Sequence, residues 1–105
     1  MQKLLTKELE KQLPSYYKAA NSEDPIVHAH FFSPYSNWDW YVLGGMKVGD
    51  DYHFFCLVYG FEREYGPVSL NELQNVRKGQ LQLVERDAYW NKCKVSELPA
   101  FNRTA

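Results

Sequence analysis

Three runs rich in aromatic and β-branched residues dominate the middle of this chain of 105 residues, at positions 26–32, 38–43 and 52–61. Such runs favour β-strands when residues typical of turns separate them. The segment 33–37 and the pair Gly44 and Gly45 have this turn-forming composition, and a hairpin loop is expected at 49–51. Because consecutive strands with short connections pair antiparallel, the three runs predict a meander.

Short helical patterns lie on both sides of these strands. Thr6 is a candidate N-cap for a helix that Pro14 either ends or separates from a second short helix. Ser69 and Glu72 have the spacing of a capping box, which predicts a helix at 70–77. The fold class is therefore α+β, with an antiparallel sheet of three to five strands, an N-terminal helical segment and a short helix near 70–77.

Less regular patterns complete this prediction. A brief strand at 65–68 would follow the third run, and the alternation of polar and apolar residues at 80–87 favours a last strand or an extended segment. Residues 96–98 favour a single helical turn. A chain of this length has enough apolar residues for one core, so residues 1–105 are expected to form a single domain.

No long apolar segment is present in the sequence. The run at 54–59 is far shorter than the roughly 18 to 20 apolar residues that span a bilayer, and no basic segment followed by an apolar one opens the chain. A cytoplasmic protein without a membrane partner is therefore expected. We also expect no disulfide between the two cysteines, Cys56 and Cys93, in that compartment.

Charge is unevenly distributed along the chain. Residues 21–72 contain two basic and eight acidic residues, a net charge of −6. Residues 1–20 contain four basic and two acidic residues, a net charge of +2. Residues 73–105 contain six basic and three acidic residues, a net charge of +3. Proteins that follow a phosphate backbone combine stacking rings with clustered Lys and Arg, but here the rings lie in the acidic part. Nucleic acid is an unfavoured partner, and single-strand binding by stacking stays a third alternative.

Candidate metal ligands are present without a recognisable spacing. His28 and His30 alternate on a strand and share a face, and His53 or a carboxylate of Asp24, Asp50 or Asp51 could complete a metal site. Neither a metalloprotease helix motif nor a paired cysteine motif accompanies them, so no metal, cofactor or catalytic residue is assigned. A small metal-dependent hydrolase is the alternative function. Its side chains would be those of Asp24, His28, Glu85 and Asp87.

Two tryptophans share one face of the second strand. Trp38 and Trp40 alternate with Asp39 and Tyr41, which take the opposite face. Burial of both indoles in the main core is the favoured interpretation, because a small sheet needs large apolar side chains. A platform for a partner or ligand is the alternative. Asp39 would then lie on a covered face, where we expect it to pair with an arginine or with backbone N–H groups.

A charged triplet lies near the end of the predicted sheet. Glu85 and Asp87 flank Arg86, which is a pattern typical of a local ion-pair cluster. We interpret it as a cluster that holds the C-terminal segment in place. A catalytic acid with an electrostatic clamp is the alternative interpretation.

Several blocks occur in a characteristic order. They are Leu-Leu-Thr-Lys-Glu-Leu at 4–9, Asp-Pro-Ile-Val-His at 24–28, Ser-Asn-Trp-Asp-Trp-Tyr at 36–41, Gly-Phe-Glu at 60–62 and Glu-Arg-Asp at 85–87. With this order the chain resembles an uncharacterised family of bacterial plasmids, phages and integrative elements, sometimes found beside antirestriction-type domains. The resemblance implies a mobile-element accessory protein that affects host defence or DNA metabolism. His30 and Asp39 depart from the family's pattern, in which a basic residue and a threonine are more common.

The sequence favours a non-catalytic function in protein binding. Neither face of the predicted sheet is polar, so a partner, a second copy of the chain or a helix of the C-terminal part must cover the second face. A host protein or one encoded by the mobile element is the expected partner, and the acidic middle could mimic the charge of nucleic acid to counter host defence. The candidate binding residues are Asn37, Trp38, Trp40, Tyr41, Glu85, Arg86 and Asp87.

Overall fold

An antiparallel sheet forms the centre of the protein, and the predicted α+β fold class is confirmed. The structure, a computed structural model, describes residues 3–101. The helices are α1 (Lys7–Gln12), α2 (Tyr16–Ala20) and α3 (Leu70–Gln74), with a 3₁₀ turn at Val95–Glu97. The strands are β1 (Ile26–Val27), β2 (Ala29–Phe32), β3 (Asp39–Val48), β4 (Asp51–Tyr59), β5 (Arg63–Ser69), β6 (Arg77–Lys78), β7 (Leu81–Gln82), β8 (Glu85–Arg86) and β9 (Cys93–Lys94).

The main sheet is the predicted three-stranded meander extended by β5 at one edge and β8 at the other. Within residues 3–101 its strands follow the order β5-β4-β3-β2-β8, all antiparallel to their neighbours. A turn of two residues joins β3 to β4, since Val48 pairs with Asp51. Gly49 at the first turn position has a φ of 57°, and no non-glycine residue described has a positive φ. This pattern is typical of a type II′ turn, whose twist matches that of a hairpin.

The predicted end of the second strand at Gly44 and Gly45 is wrong. Both glycines lie inside β3, just after a bulge at which the pairing with β4 shifts. A Cβ atom on Gly44 would lie 2.7 Å from the Cβ of Ala19 in α2, and a Cβ on Gly45 would overlap the ring of Tyr52. The two positions therefore serve close packing against a helix and a ring.

Both faces of the sheet are covered. Helices α1 and α3 pack on the first face, around a buried core that includes Leu4, Leu9, Phe31, Val42, Phe54, Leu73 and Val84. Helix α2 and the C-terminal segment pack on the second face, around Ala19, Val27, Tyr41, Leu43, Leu57, Tyr59 and Val95. The C-terminal part contributes to this cover as predicted, although with a 3₁₀ turn and extended chain in place of a helix, and α2 supplies the rest.

Side-chain caps determine where the helices begin. The Thr6 hydroxyl accepts a hydrogen bond from the Leu9 amide at 3.1 Å, which confirms the predicted N-cap of α1. Pro14 separates α1 from α2, and Ser15 caps α2 through the Lys18 amide. The Ser69 hydroxyl accepts from the Glu72 amide at 3.2 Å, so the predicted start of α3 is also correct.

The segment after α3 differs from the prediction. The helix ends at Gln74 and not at residue 77, because β6 and β7 form a small hairpin around Gly79, which has a φ of 60°. The predicted last strand at 80–87 divides into β7 and β8, and only β8 joins the main sheet, beside β2. The predicted helical turn near 96–98 is present as the 3₁₀ turn. Among residues 3–101, no helix has the length and apolar character that a membrane span requires.

Candidate functional site

Three aromatic side chains form a cluster where β3 begins and β4 ends. The Trp38 ring stacks on Trp40, with ring centroids 6.0 Å apart, and meets Phe61 edge to face at 5.4 Å. Trp40 packs against the first-face core, Trp38 is half-buried and Phe61 is 88% exposed. We call Trp38, Trp40 and Phe61 the aromatic end of the sheet. The favoured prediction is that both indoles are buried in the core. Trp40 agrees with it only in part, and Trp38 lies between core and solvent.

A glycine makes the aromatic end possible. A Cβ atom on Gly60 would lie 2.7 Å from Cε3 of Trp38 and still closer to Cζ3 and Cη2 of the same ring. The indole therefore lies directly on the backbone of the turn after β4. The Gly60 amide donates to the Glu62 carbonyl at 3.1 Å, which holds this turn in shape. Phe61 lies between these two residues, so its ring has a fixed base although its side chain is exposed.

Two glutamates accompany the aromatic end. Trp40 pairs with Val58, and Val58 pairs with Glu64 in β5, so these three side chains share the first face of the sheet. Glu62 follows Phe61 directly, and both glutamates are exposed. Within the described range 3–101, neither carboxylate has an ion-pair partner. The aromatic end therefore has a negatively charged border on the side of β5.

Of the other predicted binding residues, Asn37 directly precedes Trp38, whereas the rest do not contribute to the aromatic end. Tyr41 is buried on the second face, where its ring packs against Tyr59 and Trp90. Asn37 is exposed in the loop before β3. Glu85, Arg86 and Asp87 lie in or directly after β8, at the opposite edge of the sheet from β5. Sequence reasoning missed Phe61 as a surface residue, because the aromatic run 52–61 favours a strand up to its end.

The histidine of β2 cross-links three segments. His30 Nε2 lies 2.8 Å from Asp39 Oδ1, and its Nδ1 lies 3.2 Å from Asp87 Oδ2. The ring stacks on Tyr41 with centroids 4.8 Å apart, and its side chain is only 15% exposed. An imidazolium ring can donate to both carboxylates at once, whereas a neutral ring donates to one.

This cross-link changes two interpretations. His30 is a partner of Asp39, a residue type that the strand pattern did not predict at this position. Asp87, the last residue of the charged triplet, holds the segment after β8 through His30 and through the Tyr89 amide at 3.0 Å. Asp87 of the triplet therefore holds the segment after β8 in place through a contact with a histidine, whereas the sequence predicts an ion-pair cluster within the triplet.

A cleft beside α1 contains part of the predicted hydrolase centre. His28 and Asp87 line a cavity of about 250 Å³, together with Lys92 and Trp90. Burial and, to a lesser extent, the charge of Lys92 lower the pKa of His28, so its ring is neutral at neutral pH. Asp24 is not part of this cleft, because its carboxylate binds the amide and hydroxyl of Ser96 at 2.9 and 2.7 Å.

The remaining predicted hydrolase residue, Glu85, lies in β8, where it pairs with Phe32. His28 and Asp87 are therefore the two of the four residues that share the cleft. Across the described residues 3–101, no group of three or more His, Cys, Asp or Glu side chains is placed to hold a metal ion. In this arrangement His28 could act as a neutral hydrogen-bonding group or base without a metal.

Fold and site together define a small α+β domain with an aromatic cluster at one end of its sheet. The chain belongs to the family described as protein of unknown function (DUF2958), whose model matches residues 4–105. Membership in a family of unknown function, which the sequence blocks indicate, is thereby confirmed. No curated protein and no solved structure matches the chain.

Proposed function

We propose that this protein is a non-catalytic binding module that holds a protein partner at the aromatic end of its sheet. The observation that carries the proposal is Phe61, an aromatic side chain that is 88% exposed and yet packs on Trp38. Aromatic residues on a rigid base lose little conformational entropy on binding and are frequent energetic centres of protein interfaces. Trp38 and Trp40 extend the contact from solvent to core.

We further propose that the protein is an accessory of a bacterial mobile element and acts in the cytoplasm on a host protein. The resemblance described above supports the mobile-element role. The net charge of −6 over residues 21–72 supports a basic partner, such as a defence protein with a groove for nucleic acid. Binding at the aromatic end would then block or redirect that partner.

Affinity capture from a bacterial host tests the proposal. Tagged wild-type protein and the variant Phe61→Ala would be compared, with Tyr89→Ala as the matched control because Tyr89 is an isolated aromatic that is 91% exposed. Phe61→Ala should lose the specific partner while its melting temperature changes little, and Tyr89→Ala should retain the partner. Equal recovery of every specific partner by Phe61→Ala would refute the proposal.

Two simpler assays test the competing functions. Labelled single-stranded oligonucleotides should not associate at low ionic strength, because the unpaired glutamates border the aromatic end. Light scattering distinguishes a monomer from a homodimer. A dimer that Phe61→Ala converts to a monomer would replace the external partner by a second copy of the chain.

A further inference from the structure

The aromatic end combines two features that a single type of side chain recognises. Phe61 offers an exposed ring to a partner, since it is 88% exposed and meets the half-buried Trp38 at an interplanar angle of 83°. Glu62 follows Phe61 in the turn, Glu64 lies opposite Val58 in β5, and between residues 3 and 101 neither carboxylate has an ion-pair partner. An exposed ring next to an unpaired carboxylate favours a cation that can also stack.

Arginine meets both requirements better than lysine. Its planar guanidinium stacks on aromatic faces and donates two parallel hydrogen bonds to a carboxylate, whereas the lysine ammonium is a strongly hydrated point charge. The same protein contains such a contact on the other face of the sheet. The guanidinium of Arg63 lies 5.9 Å from the ring centroid of Tyr59.

We propose that the aromatic end binds an arginine side chain of the partner, with the guanidinium stacked on Phe61 beside Trp38 and paired with Glu62 or Glu64. This inference rests on the proposed function and adds the chemistry of the partner: a protein segment that projects arginine. Aromatic and arginine residues are both enriched at interface centres, and the glutamates would align the guanidinium and increase the association rate.

The test uses nuclear magnetic resonance of the full-length protein with a hexa-arginine peptide as the probe. The indole N–H signal of Trp38, assigned with the Trp38→Phe variant, should shift and saturate as the peptide is added. Hexa-citrulline, which has the same shape without the charge, should produce no saturable shift, and hexalysine should bind about tenfold more weakly. The absence of a saturable Trp38 shift, or equal binding of hexalysine, would overturn the inference.

Variants locate the site. The double substitution Glu62→Gln and Glu64→Gln should weaken hexa-arginine binding about tenfold, which corresponds to about 1.4 kcal/mol. Glu72→Gln is the matched control, because Glu72 is an exposed glutamate on α3. An equal loss for both would indicate general charge attraction and overturn the inference. If Phe61 proves necessary for partner capture but hexa-arginine does not bind, the proposed function survives and only the arginine preference fails.

Discussion

Replacement of Gly60 by alanine tests the packing that holds the aromatic end. The new Cβ would overlap three carbon atoms of the Trp38 ring, so the indole must move away from the turn. Overpacking of this kind typically costs about 1 to 3 kcal/mol. Gly60 does not have a positive φ, so alanine should also stabilise by roughly 0.4 to 1 kcal/mol through the unfolded chain. The two effects together predict a net loss of roughly 0 to 2.6 kcal/mol, with a central value of about 1.3 kcal/mol.

Urea unfolding followed by circular dichroism measures this loss. A double-mutant cycle isolates the contribution of the indole, because Gly60→Ala should be neutral or slightly stabilising in a Trp38→Ala background. Gly66→Ala is the matched control, since a Cβ on Gly66 meets no atom within 4 Å and its φ is not positive. That variant should keep or slightly raise the stability of the protein.

The cycle gives a clear refutation. If Gly60→Ala destabilises equally in the wild-type and Trp38→Ala backgrounds, its effect does not come from the indole. The aromatic end would then lack the fixed base that the proposed function requires. If the effect appears only with Trp38 present, Gly60→Ala should also weaken partner capture, because Phe61 loses the ring against which it packs.

Three further outcomes follow from the described contacts. Ser69→Ala should lower the free energy of unfolding by about 1 kcal/mol in the same urea assay, since the hydroxyl caps α3 and also donates to Asp51 at 2.6 Å. An unchanged urea midpoint would contradict this role of Ser69. The folded protein lowers the pKa of His28 below 6.5, so the unfolded chain binds a proton at this residue more tightly than the folded protein does. The free energy of unfolding of the wild-type protein should therefore fall as the pH drops below 6.5. His28→Gln should reduce this fall. Thiol labelling followed by mass spectrometry should show that Cys93 reacts slowly under native conditions and that Cys56 reacts only after unfolding. The reason is that burial raises the pKa of both thiols and encloses Cys56 completely.

Local sequence determined the elements of this fold. Thr6 and Ser69 act at the helix starts where their spacing predicted them, because a cap is completed within three residues. The second and third aromatic and β-branched runs became β3 and β4, whereas the first divided into β1, which pairs with β9, and β2; alternation along a strand is also a local property. The order of the blocks indicated the family, whose model matches residues 4–105.

Contacts between residues that are far apart in the sequence determined the remaining features of the fold. Gly44 and Gly45 have the composition of a turn, but they belong to a strand because α2 and the Tyr52 ring need the space of a missing side chain. His30 finds Asp87 across 57 residues, a partner that no local spacing encodes.

The candidate site also combines features that follow from the local sequence with features that depend on tertiary contacts. Alternation placed Trp38 and Trp40 on one face, but their depth depended on tertiary packing. Gly60 and Phe61 complete the cluster only because β4 pairs with β3 and brings the end of one strand to the beginning of the other. A sequence encodes its short-range hydrogen bonds directly, whereas the exposure of a ring depends on which segments the folded chain packs against it.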